Sequence, residues 1–148
     1  MKKSMRNLGV PLLSALMIAG QMTVLAAPAQ AASISRLAGN WSMVLIGNTG
    51  CGSHSMFVTF KLNPSGNGTA TIDNHSTGCA TATTTGNAIQ INTLGPNGQG
   101  TAGLSCGVGC GWEFKIQVAA DYDQIILADV NPDNPLNTPT GVAIRQFP

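Results

Sequence analysis

From Trp112 to Val118 every second residue is apolar. Trp112, Phe114, Ile116 and Val118 share one face, and Glu113, Lys115 and Gln117 share the other. Successive side chains of an extended chain point to opposite sides, so a period of two predicts a strand with one face buried. Met56, Val58, Phe60 and Leu62 repeat the pattern, with Thr59 and Lys61 opposite. Trp41, Met43 and Leu45 form a third row, and Ile89 and Ile91 alternate with Gln90 and Asn92. Ile125, Ile126 and Leu127 make a more continuous apolar strand, and Val142 and Ile144 mark the last one, before Arg145. Residues 69–73, 78–85 and 101–106 are weaker candidates, supported where threonine's branched side chain suits a pleated surface.

No stretch sustains a helical period. Turn residues punctuate the rows instead: Pro64-Ser65-Gly66-Asn67-Gly68, Gly86-Asn87 and Gly95-Pro96-Asn97-Gly98. Residues 131–140 contain Pro132, Pro135 and Pro139 and read as a surface loop. Eight or nine short strands without crossover helices predict an all-β, antiparallel chain of sequential hairpins. A single closed up-and-down barrel would remove the exposed sheet edges of such a chain; a β-sandwich is the alternative.

The first 31 residues follow a different pattern. Lys2, Lys3 and Arg6 precede an apolar run from Leu8 to Leu25, and Ala29-Gln30-Ala31 closes it. A basic start, an apolar middle and an A-x-A end predict a cleavable secretory signal of bacterial type. Gly9, Pro11, Ser14, Gly20 and Gln21 interrupt the run, which falls short of the ~20 apolar residues that a membrane span needs. The mature domain is therefore expected over residues 32–148, periplasmic or secreted, with no membrane span.

That domain carries four basic side chains, Arg36, Lys61, Lys115 and Arg145, against six acidic ones, a net charge of −2. With no basic cluster, nucleic-acid binding driven by phosphate contacts has no electrostatic basis. All four cysteines, Cys51, Cys79, Cys106 and Cys110, fall in the exported part. An even number in an oxidising compartment predicts two disulfides.

The sharpest chemical constellation is Cys51-Gly52-Ser53-His54 with His75-Ser76-Thr77-Gly78-Cys79. Two thiolates and two imidazoles could hold zinc tetrahedrally. Cysteines oxidised to disulfides supply no thiolates, so no metal is expected. Glu113 and Lys115 read as a solvated pair on one strand face, and Asp121 and Asp123 as turn residues around Tyr122. Asp129 and Asp133 belong to no ligand run of calcium-loop spacing. No G-x-S-x-G or phosphate loop is present. The expectation is a protein that is not an enzyme and uses no cofactor.

Leu37-Ala38-Gly39-Asn40-Trp41 resembles the G-x-W opening of the lipocalins and related calycin barrels. Arg145 on the last strand resembles the basic residue that covers that tryptophan at the closed barrel end, so the resemblance assigns barrel closure to Trp41 and Arg145. The Gly-Asn-Trp opening, a cysteine in the first loop and another some thirty residues on also resemble the periplasmic inhibitors of secreted bacterial metalloproteases. In that family the two cysteines are bonded, which implies a Cys51–Cys79 bridge. Cys106, Cys110 and the Gly-rich stretch from Gly95 to Gly111 depart from its pattern.

A count of nine strands puts Cys51 and Cys79 at one barrel end and Cys106 and Cys110 at the other. Bonded cysteines have Cα atoms within about 7 Å, so nine strands require the pairs Cys51–Cys79 and Cys106–Cys110. A count of eight, with residues 101–106 as loop, returns Arg145 to Trp41 but gathers all four cysteines at one end and leaves the pairing open. The short spacing of Cys106 and Cys110 keeps that pair together. The functions expected are, first, a lipocalin-like binding protein for an unknown small apolar molecule, acting through the Cys51 end. The second is an inhibitor of an exported protease that probes with residues 32–37. The third is a structural envelope or secreted protein without a ligand. Fold alone selects none of them.

Overall fold

The computed structural model describes residues 32–107, 109–130 and 136–147. The expected signal, residues 1–31, lies outside them, as does Asp133. Eight strands form one closed antiparallel barrel in sequence order: β1 (Gly39–Thr49), β2 (Gly52–Leu62), β3 (Asn67–Ser76), β4 (Ala82–Leu94), β5 (Gln99–Gly107), β6 (Cys110–Val118), β7 (Gln124–Asp129) and β8 (Thr140–Gln146). The seam closes where β1 pairs with β8, from Asn40↔Gln146 to Ile46↔Thr140. No helix of the described residues is long and apolar enough to cross a membrane.

Nine strands become eight for a local reason. Residues 82–85 and 88–92 belong to one strand, β4, and Gly86-Asn87 is not a turn. Ala70 pairs with Asn87 and Ile72 with Thr84, so two residues of β4, Thr85 and Gly86, face Thr71 alone. That is a β-bulge, and Gly86 takes the positive φ (72°) that a glycine there accepts without strain. The inserted residue shifts the inward side from even to odd positions, from Ala82 and Thr84 to Asn87, Ile89 and Ile91. Residues 101–106, which the eight-strand count treated as loop, lie within β5. All four cysteines therefore stand at one end.

The inward rows fill one end of the barrel. Trp41, Met43, Val58, Leu62, Leu104, Phe114 and Ile125 are among its buried side chains. Beneath them residues Ile34–Leu37 form a 3-10 turn whose Leu37 is fully buried. Ala32 N–H donates to the Pro96 carbonyl, and Ser33 N–H to the Tyr122 hydroxyl. Residues 32–37 are thus built into the base, whereas the inhibitor reading needs them as a free amino-terminal arm.

Trp41 stacks on its cross-strand partner Phe60 (centroids 6.1 Å apart) and donates its indole N–H to the Leu37 carbonyl at 2.9 Å. From the other side the Arg145 guanidinium stands 4.8 Å from the Trp41 ring centre. It donates to the carbonyls of Ala38 (2.8 Å) and Tyr122 (3.0 Å) and to that of Arg36. Arg36 stacks 3.8 Å over the Tyr122 ring. Tyr122 has φ 64°, a left-handed backbone uncommon outside glycine; its buried ring and engaged hydroxyl oppose the strain.

The outer wall is mostly Thr, Ser, Asn and Gln, with one apolar band. Ile126, Val142, Val44 and Phe57 lie in register across β7, β8, β1 and β2.

Candidate functional site

The end opposite the base is open. Four connections surround it, and disulfides hold three of them. Cys51, in the β1–β2 turn, is bonded to Cys79 in the β3–β4 loop, with Cα atoms 5.3 Å apart. Gly78 N–H donates to the Cys51 carbonyl, and Thr77 N–H to that of Ser53, so backbone and sulfur tie the same two loops. Cys106 and Cys110 bridge the tip of the β5–β6 hairpin, 5.1 Å apart. The β7–β8 connection is tied to β1 by Thr138 N–H donating to the Asn48 carbonyl.

Inside this rim lies a cavity of about 490 Å³. Its apolar wall includes Met56, Ile72, Ala82 and Trp112, and Cys106 and Cys110 stand at its edge. Room remains here because small residues occupy inward positions where the base has large ones. Ala82 and Thr84 precede the bulge on β4, while Ile89 and Ile91 follow it.

Five polar side chains join the wall, Thr49, His54, Asn74, Thr84 and Asn137, and three of them, His54, Asn74 and Asn137, hold an unpaired buried atom. The inward row Leu62, Phe60, Val58 and Met56 reaches His54 two residues on, and Ile72 leads likewise to Asn74. Met56 pairs with Asn74, which sets His54 diagonally across from it. His54 Nε2 and the Oδ1 atoms of Asn74 and Asn137 are shut from solvent and have no hydrogen-bond partner among the described residues. A buried polar atom left unpaired costs about 1–3 kcal/mol, so the free protein holds a hydrogen-bonding capacity it does not use.

The other imidazole nitrogen is engaged. His54 Nδ1 and Thr49 Oγ1 lie 2.5 Å apart, and Cys51 N–H donates to the same Oγ1 at 3.1 Å. Thr49 thus joins the imidazole to the turn that carries Cys51, while Nε2, on the other side of the ring, has no partner among the described residues.

Among the described residues no lysine, arginine, aspartate or glutamate lines the cavity. Arg36 and Arg145 belong to the base, and Lys61 and Lys115 lie on outward positions of β2 and β6. The two histidines part company. His54 faces inward and is 8% exposed, whereas His75, one residue out of phase on the neighbouring strand, faces solvent with Nδ1 3.1 Å from Thr81 Oγ1. All four cysteines are in disulfides and none is free. The constellation weighed for zinc is not brought together, and no group of three His, Cys, Asp or Glu side chains that could hold a metal occurs among the described residues. Asp121 and Asp123 sit in the β6–β7 turn at the base, where Asp123 lies 3.7 Å from Arg145.

Asn74 and Asn137 were not singled out as wall residues by sequence. Counting by twos from Ile72 finds Asn74; Asn137 follows a proline-rich loop and has no period to place it. Comparison with protein-family models, curated proteins and solved structures finds no match.

Proposed function

We propose that the chain is an exported, non-catalytic binding protein of lipocalin-like type, which takes a small molecule into the open end of its barrel. One observation carries this reading: the same eight strands are packed solid at the base and leave about 490 Å³ at the mouth. Pockets for small ligands run from about 300 to 1,000 Å³, apolar with a few placed polar groups, and this wall has that composition. The Cys51–Cys79 and Cys106–Cys110 bridges hold loops of the rim, which lowers the ordering cost of binding. Two disulfides also suit an oxidising compartment, as the expected signal at residues 1–31 requires.

The protease-inhibitor reading needs a free amino-terminal segment to enter a cleft. Residues 32–37 spend their contacts on the barrel base, so the small-molecule reading is favoured.

Native mass spectrometry of the protein from the exported fraction of its own host tests both halves. The polypeptide mass should begin within a residue of Ala32 and carry an additional non-covalent small mass. A retained Met1 in that fraction overturns export. A bare polypeptide that also takes up no amphiphile from solution overturns the ligand reading.

A further inference from the structure

Among the described residues, every large apolar side chain exposed on a strand stands on one half of the barrel. Val44 and Ile46 on β1, Phe57 on β2, Ile126 on β7 and Ile144 on β8 are 46–62% exposed. β3, β4, β5 and β6 carry none. We infer that this half-wall is a self-complementary face on which a second copy of the chain docks, forming a twofold dimer.

The sequence carries the signal. A strand with one wet face alternates, but Met43-Val44-Leu45-Ile46 and Ile125-Ile126-Leu127 are apolar on both faces, the pattern of strands covered twice. Pairing joins these positions into one surface. Ile126, Val142, Val44 and Phe57 form a row across the four strands. Ile144 lies in the next row toward the base and Ile46 in the next toward the mouth. Strands about 4.8 Å apart and alternate residues about 6.7 Å apart make the three rows roughly 14 by 13 Å of backbone. The other outward positions of these rows hold Gln, Ser, Thr and Ala, and none is charged.

A second copy fits this face better than other occupants. A twofold contact sets a surface against itself, so the surface must hold no charge to oppose its own image. The flanks differ in sign: Lys115 pairs with Ala128 beyond β7, and Asp73 with Phe57 beyond β2. A twofold axis along the strands, between β8 and β1, turns the Lys115 flank of each copy to the Asp73 side of the other. It also leaves the facing strands nearly aligned, as packed sheets prefer. Half-exposed side chains of this size contribute roughly 70–110 Å² each, so the face offers about 500 Å². Two copies then bury about 1,000 Å², the size at which specific interfaces begin, and the convex wall keeps the dimer weak. A lipid surface draws on basic residues clustered beside the apolar area, and here Lys61 and Lys115 stand apart on β2 and β6.

The experiment is sedimentation velocity on the mature, disulfide-bonded protein. Between roughly 5 and 500 µM a dimer should form, with a dissociation constant of about 10–100 µM. Val44→Lys and Val44→Glu should each weaken it about tenfold or more, because a charge beside the axis meets its own copy. An equimolar mixture of the two should associate about fivefold tighter than either alone, a gain that a folding defect does not produce. Gln90→Lys makes the same charge change at an exposed position of β4 and should dimerise as the wild type does. A chain that is monomeric throughout the range overturns the inference. So does a dimer that survives both Val44 variants, a mixture no tighter than its parts, or a dimer that Gln90→Lys abolishes. A monomer that instead floats with phosphatidylcholine vesicles, and no longer does so as Val44→Lys, assigns the face to lipid and refutes the dimer.

Discussion

Arg145→Met should cost this barrel about 3–4 kcal/mol, a large part of the roughly 5–15 kcal/mol that stabilises a domain of this size. The side chain is 16% exposed and holds three backbone carbonyls, those of Arg36, Ala38 and Tyr122. Hydrogen bonds to a charged group contribute about 1.5–3 kcal/mol each. These carbonyls lie at the barrel's end, where water replaces part of the loss, so about 1 kcal/mol each is the appropriate scale. The guanidinium over Trp41 adds about 0.5–1 kcal/mol. The Asp123 contact, 3.7 Å to a side chain 44% exposed, adds little because solvent screens it. Methionine keeps most of the stem's packing, which isolates the polar part of the loss. Arg145→Lys retains the charge, but a compact ammonium cannot reach three divergent carbonyls, and it should recover less than half. Urea unfolding at constant slope measures all three proteins. A Met variant within 1 kcal/mol of wild type, or full recovery by lysine, refutes the view that a forked cation clamps the base.

Cys51→Ala with Cys79→Ala opens a 28-residue separation and should lower stability by about 3.5 kcal/mol, and Cys106→Ala with Cys110→Ala, four residues apart, by about 2, both read by the same unfolding. Equal losses would show that loop length is not what matters. Two glycines should separate strain from collision. Gly86→Ala places its Cβ in open space and suffers only the left-handed backbone, about 1 kcal/mol, whereas Gly68→Ala drives its Cβ onto the Lys61 carbonyl and should cost clearly more. A Gly86 variant as damaged as the Gly68 variant would contradict the bulge geometry.

The barrel walls were legible because alternation survives wherever a strand has one wet face. Trp112 to Val118 and Met56 to Leu62 are read directly as inward rows, and both are. The strand count was blurred where alternation breaks: the bulge at Gly86 changes the inward parity, and a parity change beside glycine and asparagine looks like a turn. The division of His54 from His75 was available in principle, since they stand an odd number of residues apart across a paired register. The alternation read from Met56 and over residues 69–73 stops short of both histidines, which concealed it. The cavity was not legible, because an empty volume belongs to no residue. It arises where Ala82 and Thr84 of β4 and Cys106 of β5 line the same end of the barrel. The docked amino-terminal segment escaped notice because Ile34 and Leu37 are too few to show a period, and only the finished base gives them something to cover.

The seam between β1 and β8 bears on the order of events during synthesis. The Ala38 carbonyl waits 107 residues for the guanidinium that will hold it, and Trp41 waits nearly as long for its cover. Hairpins can form as they emerge, but contacts between chain ends are the slow ones. Until the last strand arrives, β1 and its newest neighbour present two unpaired edges, the kind of surface that invites pairing with other chains. Closure is therefore a test of completeness: a chain missing only its final strand keeps most of its pairs, yet never becomes a vessel.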